Sequence, residues 1–259
     1  MEHALLADSS AAPAAAEDLA AAALSLARRF AAGATMWCVA PEWPSHARHV
    51  AVEFVHPVIV GKRALPAVSI DAGDPAAAAS MVRQLARPGD VLLVVSTADN
   101  PVAADLLPRA EAWGLTSVWL GAGARTGPDG GAPSARADHV VWLEADDAAV
   151  AARSGDLVLL YHLLWELTHV VFEHPGLLTD DDHETVAGTT ACADDVCITC
   201  SDEGRVAEVR ALLDEGRIEV LAGGHAEAVD GRLVGALRPG DLVLVHAGVA
   251  VTTLTGDDG

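Results

Sequence analysis

The sequence is poor in basic residues and in long apolar runs. Only 16 of its 259 residues are Lys or Arg, against 37 Asp or Glu, and the formal net charge is −21. A chain this acidic repels phosphate groups, so we exclude nucleic acid and anionic membrane surfaces as partners. No apolar run of about 18 residues is free of charge, and the acidic N-terminal segment lacks the basic start of a signal peptide. We therefore expect a cytoplasmic protein with no membrane span.

Aromatic residues are also scarce, at 4%, and there are only four cysteines. Apolar residues nevertheless make up 51% of the chain, which is enough for a sizeable core. Cys38 stands alone, whereas Cys192, Cys197 and Cys200 fall within nine residues. In a reducing compartment such a cluster is more typical of a metal site or a redox pair than of a disulfide scaffold.

Five short apolar segments dominate the first part of the chain, and most are separated by helical patterns. The predicted strands are 35–40, 66–70, 90–96, 116–120 and 138–143, and the predicted helices are 14–32, 45–56, 75–87, 101–113 and about 155–173. Apolar strands that alternate with helices indicate a parallel sheet covered on both faces. The predicted fold class is therefore α/β, with three layers. Ligands of such sheets bind at the carboxyl ends of the strands.

The character of the sequence changes after Leu178. Residues 179–191 are polar and acidic and are interpreted as a linker. Short strand-like segments separated by Gly-containing turns follow, which is typical of a small β-barrel. We therefore predict three parts, namely a first domain over 1–178, the linker, and a β-barrel domain over 192–259.

Two histidine–carboxylate pairs stand out in the predicted helices. His49 and Glu53 are four residues apart, as are His162 and Glu166, so each pair shares one helix face. An imidazole and a carboxylate together could act as general acid and base. They could also hold a divalent metal through nitrogen and oxygen ligands. A surface ion pair or a core histidine is the alternative structural explanation.

Four segments of the first domain carry a family resemblance. They are S-H-A-R-H-V-A-V-E-F (45–54), L-P-A-V-S-I (65–70), P-G-D-V-L-L-V-V-S-T (88–97) and Y-H-L-L-W-E-L (161–167). With these segments, residues 15–175 resemble a sugar isomerase (SIS) domain of the phosphoheptose isomerase branch. The resemblance implies a parallel-sheet, three-layer fold and aldose–ketose isomerisation of sugar phosphates. It also implies a homo-oligomer, because such domains commonly pair through helices.

The same resemblance assigns roles to three residues. Glu53 and His162 match catalytic positions of the family, and His49 matches the histidine that precedes this glutamate. Some members of the family hold zinc, which His49, Glu53 and His162 would bind here.

The family's phosphate-binding segments are altered in this chain. The Gly-rich stretch before the motif serine is here A-P-E-W-P-S (40–45), and the second phosphate loop is S-T-A-D-N-P (96–101). The candidate ligand-binding residues that remain are Ser45, Ser96, Thr97 and Asn100. The two prolines remove N–H donors, and Glu42 and Asp99 place negative charge where a phosphate would bind. We expect weak or no sugar-phosphate isomerase activity and a neutral ligand, or none.

The C-terminal part carries a second resemblance. Its segments are C-I (197–198), G-R-V (204–206), V-G-A-L (234–237) and G-D-L-V-L-V-H-A-G-V-A (240–250). They resemble the HypC/HupF family of [NiFe]-hydrogenase assembly chaperones, which are OB-like barrels. The predicted second domain is therefore an OB-like β-barrel.

This second resemblance implies a metal and partners. Cys197 matches the cysteine that transiently binds iron, and a thiolate is a suitable soft ligand for it. Cys200 is an extra thiol nearby and a further candidate ligand, and His246 lies in the region used against a partner. The implied partners are a HypD-like maturation protein and the hydrogenase large-subunit precursor.

Two functions of different classes follow. The main expectation is a hydrogenase maturation factor, in which the SIS-type module oligomerises or binds a small molecule. The alternative is a sugar-phosphate isomerase, with Glu53 and His162 as catalytic residues and zinc as the metal. Enzymatic activity is left open at this point.

Overall fold

The computed structural model describes residues 11–57, 59, 61–72, 74–124, 137–178 and 204–254, with side chains from residue 16 onwards. Contacts between residues divide the chain into two compact units. The first comprises Met1–Leu107 and Thr116–Thr179, and the second comprises Pro108–Leu115 and Asp180–Gly259. No helix among the described residues is long and apolar enough to cross a membrane.

A five-stranded parallel sheet with helices organises the first unit. Its elements are α1 (Ala11–Ala31), β1 (Met36–Val39), α2 (Pro44–Val55), β2 (Ala67–Ile70), α3 (Pro75–Leu85), β3 (Val91–Ser96), α4 (Pro101–Ala112), β4 (Thr116–Gly123), β5 (His139–Glu144), α5 (Ala148–Ser154) and α6 (Asp156–Glu173). The strand order is β2-β1-β3-β4-β5, and every pairing is parallel. The α/β fold class predicted for this part of the chain is confirmed.

The central strands are predominantly apolar because both faces of the sheet are covered. Every residue of β1, β3 and β4 is buried. One core joins this sheet to α1, α2 and α6, with Phe30, Phe54, Tyr161 and Leu164 among its largest side chains. Helices α2 and α6 therefore lie over the same face of the sheet, and this brings residues from distant parts of the sequence together.

Two boundaries differ from the sequence prediction. Strand β4 continues to Gly123, although the Gly-containing segment after Leu120 was predicted as a loop. Gly121 lies directly against the Trp142 ring, where a Cβ would come within 1.9 Å of a ring carbon. The helix predicted over about 155–173 is α6, but its start differs because a short helix that was not predicted, α5, precedes it and is separated from it by Gly155 with a positive φ of 92°. Gly121 is required by a tertiary contact, whereas Gly155 is required by its own backbone conformation.

Apart from Pro108–Leu115, the described part of the second unit consists mainly of five strands. They are β6 (Arg205–Leu212), β7 (Arg217–Ala222), β8 (His225–Asp230), β9 (Leu242–His246) and β10 (Val249–Thr253). They close on themselves in the order β10-β8-β7-β6-β9, around buried residues that include Val209, Val220 and Val243. β9 and β10 form a hairpin, and the two residues between them, Ala247 and Gly248, both have positive φ.

The predicted linker 179–191 lies outside the described residues. The same holds for Cys192, Cys197 and Cys200, so the iron site expected at Cys197 and the further ligand Cys200 have no structural description. Cys38 is described and is buried in β1, where burial raises the pKa of its thiol. It is a core residue.

Candidate functional site

Three side chains from α2 and α6 meet at one point. Nε2 of His49 lies 3.2 Å from Oε1 of Glu53 and 3.4 Å from Nε2 of His162. Nε2 of His162 lies 3.5 Å from the same Glu53 oxygen. Among the described residues, this is the group of His, Cys, Asp and Glu side chains whose ligand atoms converge closely enough for a metal ion.

The local sequence explains this convergence. Helix α2 begins at Pro44, and the four-residue spacing places His49 and Glu53 on one face, one turn apart. The buried Val50 and Phe54 anchor α2 in the core, and Tyr161 and Leu164 anchor α6 in the same core. His162 therefore meets Glu53 of α2, whereas Glu166 of its own helix is exposed and outside the group.

The triangle is partly open to solvent. The His49 and His162 side chains are 41% and 43% exposed, whereas the Glu53 side chain is only 16% exposed. The two imidazoles also form an edge-to-face contact, with ring centroids 5.2 Å apart. A small ligand can thus approach the histidines while the carboxylate is held below them.

A buried polar chain supports His49 from behind. The Tyr161 hydroxyl lies 2.8 Å from Nδ1 of His49 and 3.4 Å from Nδ1 of His46. Nε2 of His46 lies 3.0 Å from the carbonyl oxygen of Ala152. Tyr161 is completely buried and His46 is 8% exposed.

The order of partners determines where the protons are. A carbonyl oxygen can only accept, so Nε2 of His46 carries hydrogen and donates to Ala152. Burial lowers the pKa of His46 and favours its neutral form, so its Nδ1 accepts from the Tyr161 hydroxyl. The Tyr161 oxygen then accepts from Nδ1–H of His49. This leaves the lone pair of His49 on Nε2, facing Glu53 and His162.

The donor set and its spacing fit zinc. Two imidazole nitrogens and one carboxylate oxygen are the protein ligands of one common class of catalytic zinc sites. Zinc–nitrogen bonds of about 2.0–2.1 Å imply ligand atoms about 3.3–3.4 Å apart around a tetrahedral ion. The three edges observed here run from 3.2 to 3.5 Å. The Tyr161 contact to Nδ1 of His49 is of the kind that orients histidines in metal sites.

The other predicted ligand-binding residues have different environments. Ser45 is an exposed residue in the first turn of α2. Ser96 is fully buried, where its hydroxyl donates to the Thr97 carbonyl oxygen and accepts from the Trp119 indole. Oδ1 of Asn100 accepts from the N–H groups of the two residues that follow Pro101, and so caps α4. Ser96 and Asn100 therefore have structural contacts already.

Thr97 is bound by a carboxylate of the same chain. Oε2 of Glu42 accepts from the Thr97 backbone N–H at 2.9 Å, and Oε1 of Glu42 accepts from the Thr97 hydroxyl at 2.6 Å. Glu42 lies between β1 and α2, and Thr97 lies between β3 and α4, so this pair joins two loops at the carboxyl edge of the sheet.

An acidic cavity opens at the same edge. It has a volume of about 370 Å³ and lies at the carboxyl ends of β3, β4 and β5. The residues that line it are Thr97, Ala98, Asp99, Ala122, Gly123, Ala124, Asp146, Asp147 and Ala148. Three of these residues are aspartates and none is basic. Oδ1 of Asp147 is bound to the N–H groups at the start of α5.

The sequence analysis missed His46 and Tyr161. His46 is three residues before His49, and Tyr161 directly precedes His162, so both lie inside the segments that pointed to the site. Nothing in their spacing shows that they share a hydrogen-bond chain. His246, expected in a partner-binding region, is the last residue of β9 in the second unit.

Comparison with known proteins relates the first unit to sugar isomerases. No protein-family model matches the chain. A phosphoheptose isomerase from Nitratidesulfovibrio vulgaris (strain DSM 19637 / Miyazaki F) is 29% identical over 167 residues, which is 59% of this chain and 77% of that protein.

Two solved structures share the fold. A phosphoheptose isomerase from Francisella tularensis superimposes with a TM-score of 0.51 at 17% identity, over 60% of this chain and 86% of that one. A phosphoheptose isomerase from Neisseria gonorrhoeae superimposes with a TM-score of 0.50 at 18% identity, over 62% of this chain and 90% of that one.

These similarities correct the main functional expectation. The relatives are phosphoheptose isomerases, so the expectation of a hydrogenase maturation factor is wrong, and the alternative of an isomerase is the better supported one. The iron at Cys197 and the HypD-like partner were implied only by the HypC/HupF resemblance and are not carried further. The first unit has an α/β fold with a five-stranded parallel sheet, which matches the fold of the two phosphoheptose isomerase structures.

Proposed function

We propose that the first unit is an aldose–ketose isomerase of sugars. The observation that carries the proposal is the convergence of His49, Glu53 and His162 from α2 and α6. The similarity to phosphoheptose isomerases supports it. Aldose–ketose exchange needs one group that takes a proton from the carbon beside the carbonyl and another that exchanges a proton with the carbonyl oxygen.

The three residues can divide this work. Oε1 of Glu53 faces both imidazoles, so its second oxygen is the one that serves as the base at carbon. His162 is half-exposed and exchanges a proton with the substrate oxygen, which gives an enediol. Return of the carbon proton to the neighbouring carbon, with loss of the proton of the other enediol hydroxyl to His162, forms the new carbonyl and completes the exchange. The net change is internal to the sugar and needs no external oxidant or reductant.

We include zinc in this proposal as the metal of the site. His49, Glu53 and His162 would hold the ion. When bound, the ion would polarise the substrate carbonyl and so replace the proton exchange by Nε2 of His162, which would then be a ligand. Metal analysis tests this part: wild-type protein reconstituted with zinc is expected to retain about one ion per chain after dialysis, and His162→Ala to retain far less. Equal retention by both proteins would contradict the proposed ligand set.

The activity is tested with a ketose in deuterium oxide. Sedoheptulose and sedoheptulose 7-phosphate are each incubated with zinc-loaded and metal-free protein, and NMR follows aldose formation and deuterium uptake at C1. Glu53→Gln is expected to lower the rate by at least about 100-fold, because a general base contributes about that much. Glu17→Gln is the matched control, because it removes the same single negative charge from an exposed position on α1. Failure of the wild type to react either ketose would overturn the proposed function.

For the second unit we propose an OB-like classification. Its five strands follow one another around the closed sheet in the order β6-β7-β8-β10-β9, and β9 pairs with β6 again. The pairing of β8 with β10 is parallel. A five-stranded Greek-key barrel is the architecture of the OB-fold. An experimental structure of the second unit tests this classification by its strand order. The homo-oligomer expected for the chain also stays a prediction, tested by the molar mass in solution.

A further inference from the structure

The loop that contains Thr97 occupies a position where anions ordinarily bind. It follows the carboxyl end of the parallel strand β3 and leads into the N-terminus of α4. Ligands of open parallel sheets bind at this edge, and free N–H groups at a helix N-terminus attract phosphate and carboxylate.

Several of the donors that could bind an anion at this loop are already used within the chain. Glu42 takes both donors of Thr97, its backbone N–H and its hydroxyl. Asn100 takes the first N–H groups of α4, and the Ser96 hydroxyl is bound to the Thr97 carbonyl oxygen. The facing loop between β1 and α2 contains Pro41 and Pro44, which have no N–H to offer.

The negative charge around the loop also disfavours phosphate binding. The Glu42 carboxylate sits on Thr97, and the adjoining cavity is lined by Asp99, Asp146 and Asp147 with no basic residue. A phosphate dianion placed here would find the Thr97 donors already bound to Glu42. It would also be repelled by Glu42 and by the aspartates that line the cavity. Sugar hydroxyl groups, in contrast, are uncharged donors that carboxylates accept well.

We propose that the isomerase site takes an uncharged sugar, and that Glu42 is the residue that excludes a phosphate from the Thr97 loop. The inference rests on the proposed function for the chemistry at Glu53 and His162. Glu42 itself determines specificity by occupying the donors of Thr97 and by its charge.

Phosphate binding tests the role of Glu42 without any turnover. Calorimetric titration with inorganic phosphate is expected to show no binding to the wild type in the millimolar range. Glu42→Ala exposes the Thr97 donors, and we expect its phosphate affinity to be at least about 10-fold above the wild-type limit. Glu42→Gln removes the charge and keeps a carbonyl oxygen that can still accept from Thr97, so an intermediate affinity is expected. Glu17→Ala is the control.

Two binding results would overturn the inference. One is wild-type affinity for phosphate equal to that of Glu42→Ala, and the other is no gain of affinity in Glu42→Ala. Glu42 is exposed, and the fold of each variant is checked by circular dichroism before titration.

Turnover distinguishes failure of this inference from failure of the proposed function. The wild type is expected to have a kcat/KM for sedoheptulose at least about 10-fold above that for sedoheptulose 7-phosphate, and Glu42→Ala to shift this ratio at least about 10-fold toward the phosphate ester. A wild type that prefers the phosphate ester would overturn the inference and leave the isomerase function standing. If neither ketose reacts, the isomerase function fails, and the phosphate titrations still decide what Glu42 does.

Discussion

The hydroxyl of Tyr161 lies 2.8 Å from Nδ1 of His49, although 112 residues separate the two in the sequence. Tyr161 is completely buried, whereas His49 reaches the surface of the site. The contact holds the imidazole in one orientation and directs its Nε2 to Glu53 and His162. It makes Tyr161 a positioning residue for the proposed metal site.

Replacing Tyr161 with Phe tests this positioning role. Phe fills the same space but removes the hydroxyl, so His49 loses the partner of Nδ1 and His46 loses a donor. We expect zinc affinity to fall by about 10- to 100-fold, the usual effect of removing an outer hydrogen bond of a metal site. Titration against a zinc chelator measures it. The free energy of unfolding of metal-free protein should fall by about 1–3 kcal/mol. Unchanged zinc affinity would show that Tyr161 has only a packing role.

The buried His46 predicts a loss of stability in mild acid. Burial is the main cause of its lowered pKa, and a backbone hydrogen bond to Ala152 opposes the shift only in part. In the unfolded chain its pKa is near 6.5, so below that pH the unfolded state binds the proton more readily. The His46 contribution to stability is complete above about pH 6.5 and declines as the pH falls toward its folded-state pKa.

Urea unfolding at pH 7 and at pH 5.5 measures this effect. The pH-dependent loss should be smaller in His46→Gln than in the wild type, even though the variant is less stable at pH 7. His139, whose pKa burial also lowers, contributes in the same direction and is present in both proteins. His56→Gln replaces an exposed histidine and should keep the wild-type dependence. The same pH dependence in His46→Gln as in the wild type would contradict the assignment.

Gly121 is expected to be intolerant of any side chain. An added Cβ would come 1.9 Å from a Trp142 ring carbon, and the two buried residues lie directly opposite each other in paired strands that cannot shift independently. Gly121→Ala should therefore lower the free energy of unfolding by about 3 kcal/mol or more. Thermal and urea unfolding measure the loss. Gly176→Ala, where the new Cβ has open space, should change stability by less than about 0.5 kcal/mol. Similar stabilities of the two variants would contradict the packing seen at β4.

Asp90 connects the starts of β1 and β3 through three hydrogen bonds. Its carboxylate accepts from the backbone N–H groups of Thr35 and Arg87 and from the Trp37 indole. Asp90→Ala leaves these donors without an acceptor, so we expect a loss of about 3 kcal/mol in the free energy of unfolding. Asp71→Ala breaks only an exposed ion pair with Arg48 and should cost less than about 1 kcal/mol. Equal losses in urea unfolding would mean that the Asp90 bonds contribute nothing specific.

Much of the first unit was predictable from local pattern. β3, Val91–Ser96, is apolar and flanked by a Pro-Gly turn, and His49 and Glu53 lie one helical turn apart. These signals depend on residues that are close in the chain. The continuation of β4 through Gly121 was not predictable, since the packing of this glycine against the Trp142 ring is a contact that residue spacing does not reveal.

The sequence alone was thus sufficient for the α/β class, the parallel strands and the chemistry-bearing residues on α2 and α6. These depend on hydrophobic periodicity and helical spacing, which are local properties. Only the tertiary structure decided that His162 contacts Glu53 and not Glu166 of its own helix. It also decided that Tyr161 orients His49 through a hydrogen bond, and that Glu42 accepts hydrogen bonds from Thr97. Each of these contacts joins residues more than 50 positions apart, and packing around a shared core is what brings them within hydrogen-bond distance.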